Sequence, residues 1–129
     1  MQTFYPVLKY KDARAAIEFL ERAFGFETHA SYDGEHGGVA HAELRFAGQY
    51  VMLGSTNEGE ERFNQGAGRQ SLYVVVDDPD ALHDRAKGAG ATIERELTDQ
   101  DYGSREFTVR DPEGNLWSFG TYRPAEERS

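Results

Sequence analysis

The 129-residue chain contains no cysteine, only four prolines and one tryptophan, and few basic residues: 14 Lys and Arg against 23 Asp and Glu, a formal net charge of −9 with histidine neutral. Without thiols there can be no disulfide framework, thiolate metal site, iron–sulfur cluster or cysteine nucleophile. Without a basic run the chain is a poor match for a phosphate backbone, so nucleic acid is not an expected partner. No apolar stretch approaches the roughly 18 residues that cross a bilayer. The opening residues, Met1 to Asp12, offer neither the basic nor the uninterrupted apolar region of a secretory signal. A cytoplasmic protein without membrane contact is expected. Several chemical motifs are missing as well. No H-x-x-x-H, H-E-x-x-H or G-x-S-x-G spacing occurs. Gly34, Gly37 and Gly38 lead into no helix, which argues against a phosphate cradle.

What is present is periodic. Phe4 to Tyr10 alternates, with Tyr5, Val7 and Lys9 on one face, and Pro6 confines that stretch to a strand start or edge. Asp12 is placed to cap a helix whose stripe is Ala13, Ala16, Ile17, Leu20 and Phe24, and Gly25 supplies its stop. Strands are expected at about 26–32, 39–47 and 49–55, turned by Asp33-Gly34, Gly37-Gly38 and Ala47-Gly48. Residues 56–70 read as a polar linker. The same order then returns: a strand at 71–77, a helix capped by Asp78 with Pro79 in its first turn, and strands at 92–97, 105–110 and 115–121. A shift of 66 residues lays Tyr5 on Ser71, Asp12 on Asp78 and Gly48 on Gly114. The pattern is an α+β fold made by internal duplication. It predicts one domain over 1–129, with module one at about 4–55 and module two at about 71–122.

The turns set which side chains share a face. Pairing Phe46 with Gln49 sets Leu44 opposite Val51 and Glu43 opposite Met52. Pairing Arg110 with Asn115 sets Phe107 opposite Ser118 and Thr108 opposite Trp117. With Leu44, Val51, Leu53, Trp117 and Phe119 under the helices, the free faces are expected to carry His41, Glu43, Arg45, Tyr50 and Met52 from one module. From the other they carry Arg105, Phe107, Val109, Leu116 and Ser118. Apolar walls with a few ionisable groups suit a small-molecule pocket. Arg105 adds a planar fork for an oxyanion, or equally a structural ion pair. Glu43 is placed to meet it if the modules close.

The segment from Tyr102 to Phe119, with Arg110-Asp111-Pro112-Glu113-Gly114-Asn115 at its turn, resembles the closing hairpin of the vicinal oxygen chelate superfamily: glyoxalases, bleomycin-resistance proteins and extradiol dioxygenases. Ala-Ile-Glu-Phe and Phe-Gly-Phe within 4–26, and His41-Ala42-Glu43-Leu44, are similar to its PhnB-like glyoxalase branch. The resemblance covers 4–122. It implies two βαβββ modules forming an incomplete barrel, commonly in a homodimer. It also implies a metal ligand on the first and last strand of each module, positions held here by Tyr5, Met52, Ser71 and Ser118. A phenol, a thioether and two hydroxyls are weak donors for a divalent ion taking nitrogen and oxygen, so no metal is assigned. A displaced site at His41 and Glu43, completed by His29, His36 or a partner chain, is the less favoured option.

The resulting expectation is a metal-independent small-molecule-binding protein. It would sequester a cationic or planar aromatic drug-like compound, as the superfamily's resistance proteins do, with no cofactor. Tyr5, Tyr50, Tyr73, Tyr102 and Phe107 offer faces for stacking or cation–π contact. His41, Glu43, Met52, Arg105 and Ser118 complete the binding set. The alternative is a glyoxalase-related lyase, isomerase or epimerase with Glu43 or His41 as acid–base catalyst and Arg105 holding an anionic substrate.

Overall fold

The computed structural model describes residues 2–34, 37–57 and 59–124. Within it a strand–helix–three-strand unit occurs twice. The first comprises β1 (Val7–Tyr10), α1 (Ala13–Phe24), β2 (Glu27–Asp33), β3 (Val39–Phe46) and β4 (Gln49–Ser55). The second comprises β5 (Ser71–Val75), α2 (Pro79–Gly88), β6 (Thr92–Asp99), β7 (Arg105–Arg110) and β8 (Leu116–Gly120). Between them lies a short 3-10 turn at Glu61–Phe63. Each unit makes an open four-stranded sheet, ordered β1-β4-β3-β2 and β5-β8-β7-β6, with the outer pairs β1–β4 and β5–β8 parallel. The 66-residue shift holds in three dimensions, carrying the pair Val7–Met52 onto Tyr73–Ser118. It also carries the Asp12 cap, which accepts from the Ala15 N–H at 3.1 Å, onto the Asp78 cap, which accepts from Ala81 at 3.1 Å.

Both helices pack on the same side of their sheets, and the two packed sides merge into one core. α1 buries Ala13, Ala16, Phe19, Leu20, Ala23 and Phe24. The Phe24 ring lies 5.6 Å from Trp117 and 4.7 Å from Phe119, both on β8 of the other module. α2 joins through Arg85, which donates to the Glu21 and Arg22 carbonyls of α1. Phe24, Trp117 and Phe119 are each about 1% exposed or less, and burial of one contributes on the order of 2 kcal/mol. Among the described residues no helix is long and apolar enough to cross a membrane.

One expectation about register is corrected. In the β3–β4 hairpin, Ala47 and Gly48 both take positive φ (51° and 78°), and Phe46 opposes Gln49 as expected. In the β7–β8 hairpin Arg110 opposes Leu116, not Asn115. The turn Asp111-Pro112-Glu113-Gly114 closes with the Gly114 N–H on the Asp111 carbonyl at 3.0 Å, and Gly114 sits at φ 106°. That is a Pro-initiated turn followed by a glycine bulge, which inserts a residue and slides β7 by one position against β8. With a side-chain period of two, the slide exchanges the faces of β7. Phe107 and Val109 therefore lie in the core, fully buried, while Glu106 and Thr108 take the free face.

Asp111 ties this turn to the first module. Its Oδ1 accepts from the Glu113 and Asn115 N–H groups, both at 3.0 Å. Its Oδ2 accepts from the Tyr10 hydroxyl at 2.6 Å, Trp117 Nε1 at 3.1 Å and Asn115 Nδ2 at 3.2 Å. The Glu113 carboxylate reaches back to the Lys11 and Asp12 N–H groups at 2.7 and 2.8 Å. Burial first, and then the adjacent Asp111 charge, raise the Tyr10 hydroxyl pKa far above its ordinary value.

Candidate functional site

The faces left free by the helices each hold a hollow. The first, about 260 Å³, is lined by Tyr5, His29, Glu43, Tyr50 and Met52. The β3–β4 register creates it by setting Glu43 beside Met52 and Arg45 beside Tyr50 on one face. Gln2 fixes the Tyr50 backbone from both sides, accepting from its N–H at 2.6 Å and donating to its carbonyl at 2.8 Å. The His29 ring meets Tyr50 edge-on at 5.3 Å. At the border of the hollow His41 Nε2 lies 2.9 Å from Glu43 Oε2, and the His41 ring stacks on Tyr32.

The second hollow, about 450 Å³, lies on the other sheet among Ser71, Tyr73, Tyr102, Glu106, Ser118 and Tyr122. The Tyr102 hydroxyl donates to Glu106 Oε2 at 2.9 Å, and the Tyr73 hydroxyl donates to the Tyr122 carbonyl at 2.7 Å. The Ser118 and Thr108 hydroxyls lie 2.8 Å apart. Burial chiefly raises the Tyr73 pKa, and the bond to Glu106 chiefly raises that of Tyr102. Both shifts favour the neutral phenol.

The structure brings Tyr5, Glu43, Tyr50 and Met52 together in the first hollow, with His41 at its border, and Tyr73, Tyr102 and Ser118 in the second. Within the chain these are separate hollows. Arg105 and Phe107 belong to neither, because the slide of β7 turns both toward the helix side. Phe107 packs edge-on against His83 of α2 at 5.3 Å. Arg105 Nε lies 2.6 Å from Asp80 Oδ1 and its Nη1 3.1 Å from Asp99 Oδ1. Its pairing is thus structural, Glu43 is not its partner, and the bond from Arg105 holds the Asp80 carboxyl below the usual carboxylate range. Sequence reasoning missed Glu106 and Tyr122. The signal for Glu106 was the Pro and Gly spacing of 112–114, which specifies the bulge; Tyr122 carried none.

The four positions at which the resemblance expects metal ligands fall two to a hollow: Tyr5 and Met52 in one, Ser71 and Ser118 in the other. Soft thioether sulfur, a phenol and two neutral hydroxyls, that of Ser118 already bonded to Thr108, do not make a divalent-ion site. Among the described residues no group of three His, Asp or Glu side chains is placed to hold an ion. His41 and Glu43 supply two donors where a protein site ordinarily needs three. His36 lies outside the described residues. The donor set does not fit a metal of this kind.

A duplicated βαβββ chain with open sheets and a hollow on each free face defines a scaffold for small-molecule pockets. Residues 5–119 match the Glyoxalase/Bleomycin resistance protein/Dioxygenase superfamily, and the chain belongs to it. An uncharacterized protein of Mycobacterium bovis is 35% identical over 121 residues, spanning 89% of this chain and 80% of that one. TioX from Micromonospora sp. ML1 superposes with a TM-score of 0.76 at 33% identity, covering 94% of this chain and all of that one (100%). The bleomycin-binding protein of Streptomyces verticillus, solved with copper(II)-bleomycin, gives a TM-score of 0.65 at 26% identity, covering 95% and 100%.

Proposed function

We propose that the protein binds an aromatic or cationic small molecule without a metal of its own and acts by sequestering it. The observation that carries this reading is the first hollow, where Tyr5, Tyr50 and Met52 stand around the Glu43 carboxylate. Flat, polarisable walls and one anionic group suit a planar cation and leave a hard anion unrewarded. The likeness to a bleomycin-binding protein supports it. A hollow of about 260 Å³ is smaller than the roughly 300–1,000 Å³ that enclose a drug-sized ligand. Phe4, Val7 and Tyr32 stand exposed on the same module. A second copy of the chain would enlarge the hollow and cover those side chains, so the binding unit is a homodimer in this reading.

Isothermal titration against copper(II)-bleomycin and a panel of planar aromatic cations tests it. The expected result is saturable heat, weakened about tenfold in Tyr50→Leu, the loss of one aromatic contact, with light scattering giving a dimer mass. A flat titration across the panel opposes sequestration. The 2.9 Å His41–Glu43 contact favours one other reading, a proton-transferring lyase or isomerase. That reading requires turnover lost in Glu43→Gln, whereas sequestration requires none in the native protein.

A further inference from the structure

The first hollow holds one carboxylate, and one histidine touches it. Among the described residues Glu43 makes a single ion-pair contact, to His41 two residues earlier on β3, with Nε2 2.9 Å from Oε2. The Tyr32 ring stacks on the His41 ring across the β2–β3 ladder, at 6.3 Å and an interplanar angle of 21°, and orients it. With Nε2 turned to the carboxylate, Nε2–H donates to Oε2 whether the imidazole is neutral or charged. The proton that comes and goes is the one on Nδ1. The His41 side chain is 41% exposed, so that proton exchanges with solvent. The geometry of the pair is therefore the same in both states. Only its net charge differs, negative with a neutral imidazole and zero with an imidazolium.

The other described ionisable groups on this face come from all four strands. β1 brings Tyr5 and Lys9, the latter opposite Gly54. β4 brings Tyr50, opposite Arg45 of β3, and Arg45 in turn opposes Glu27 on β2. At the far end of β2 the Asp33 carboxylate is tied to Arg14 at 2.7 Å. Phenols, ammonium and guanidinium groups and exposed carboxylates ordinarily keep one charge state between about pH 5.5 and pH 7.5, which leaves the histidines as the side chains that titrate there. His29 on β2 also lines the hollow, but its ring meets Tyr50 edge-on, whereas the imidazole in contact with the Glu43 carboxylate is that of His41.

We infer that His41 is a proton switch on the first hollow: a cation binds there when His41 is neutral and is released when His41 takes up a proton. A neutral imidazole leaves Glu43 as counter-charge for the ligand. An imidazolium supplies that counter-charge from within the chain and repels the incoming cation as a like charge. Cation and proton thus compete for one carboxylate, and by linkage each weakens the other by the same factor. Release needs no movement of the backbone. In mildly acidic surroundings each cation that binds drives on the order of one proton from Nδ1 to solvent. A neutral planar ligand makes no such exchange, so the switch discriminates by charge. This inference rests on the proposed reading that the hollow takes a cation, and concerns how that cation is let go.

The test uses the full chain and two planar probes: N-methylacridinium, a cation whose charge does not change over this range, and the uncharged N-methylacridone. Each is titrated by fluorescence at pH 5.5, 6.5 and 7.5. The Kd of the cation is expected to fall about tenfold from the lowest pH to the highest, the change in neutral fraction of an ordinary histidine, while that of the acridone stays level. Calorimetry at pH 6 in phosphate and in Bis-Tris, buffers of different ionisation heat, should give heats that differ by the release of roughly one proton per cation. His41→Gln keeps a donor for Glu43 but cannot take a charge, and should bind the cation with one Kd at every pH. Glu43→Gln should bind it more weakly at pH 7.5, and His29→Gln should keep the tenfold change. A Kd that does not move with pH in the native protein, the same movement with the acridone, a pH dependence that survives in His41→Gln, or its loss in His29→Gln overturns the switch and leaves sequestration standing. A cation that binds at no pH sinks both.

Discussion

Replacing Tyr10 by Phe removes one oxygen from the junction between the two modules and leaves the ring in the core. The lost bond is a short one, 2.6 Å, donated to the Asp111 carboxylate. Hydrogen bonds to charged groups contribute about 1.5–3 kcal/mol. Asp111 Oδ2 keeps its donors Trp117 and Asn115, so the carboxylate is not stranded and the cost should be about 2 kcal/mol. For a domain of this length that lowers Tm by roughly 7 °C. The pH dependence makes the prediction specific. The folded Tyr10 pKa is raised, by burial first and then by Asp111. Its contribution is therefore complete below the unfolded tyrosine pKa near 10 and is lost as pH rises toward the folded value. Above about pH 10 the wild type should lose stability relative to Tyr10→Phe at up to about 1.4 kcal/mol per pH unit. Tyr73 and Tyr102 also titrate upward, but they are present in both proteins and cancel in the difference. Urea unfolding at pH 8, 10 and 11 measures it. A deficit that stays constant over that range, or one below about 0.5 kcal/mol at pH 8, would refute the account of this junction.

The other predictions follow from single contacts. Gly114→Ala should destabilise by on the order of 2 kcal/mol or more, because the residue sits at φ 106° and a Cβ would lie 2.8 Å from the Gly68 carbonyl oxygen; chemical denaturation reads it. Arg105→Gln should raise the midpoint of acid unfolding. Asp80 has its carboxyl lowered by that arginine, so its contribution is present above the unfolded pKa and lost as pH falls through the folded one. Circular dichroism between pH 2 and pH 6 follows that loss. Gly120→Ala should destabilise, since the new methyl would lie 2.6 Å from Glu106 Cγ and 2.7 Å from the Tyr73 hydroxyl; urea unfolding reads it.

Much of this architecture could be read from residue order because its signals are local. Asp12 and Asp78 cap helices at matched places, and Ala47-Gly48 sets a two-residue turn, so the element string and the free face of β3–β4 followed directly. The first hollow was legible for that reason. The second turns on one residue at one turn. Asp111-Pro112-Glu113-Gly114 reads as a tight turn from composition, but its glycine bulge places Glu106 and not Phe107 on the free face. The position of Arg105 needed two carboxylates, one of them 25 residues away in sequence, and no local pattern reports such a contact.

That one-residue slide also explains why the duplicated modules no longer match in chemistry. The β1–β4 and β5–β8 pairs still superpose under a shift of 66, as Val7–Met52 and Tyr73–Ser118 show. β3 and β7 do not: Leu53 opposes Ala42, and Phe119, 66 residues later, opposes Phe107, which is only 65 beyond Ala42. His41 therefore corresponds to Glu106 and Glu43 to Thr108. The first module carries an imidazole–carboxylate contact where the second carries a carboxylate under tyrosines and a pair of hydroxyls. Lengthening a turn by one residue changes every side chain a strand presents at once. Point substitutions would have had to alter each position separately. The turn itself is open to test: shortening 111–114 to a two-residue Asn-Gly turn sets Arg110 opposite Asn115 in place of Leu116 and should return Phe107 to the free face. It should unfold the core it vacates, read by near-UV circular dichroism, while a loop variant preserving the bulge, such as Glu113→Ser, should keep the fold and the faces of β7 even as it loses the bonds to Lys11 and Asp12.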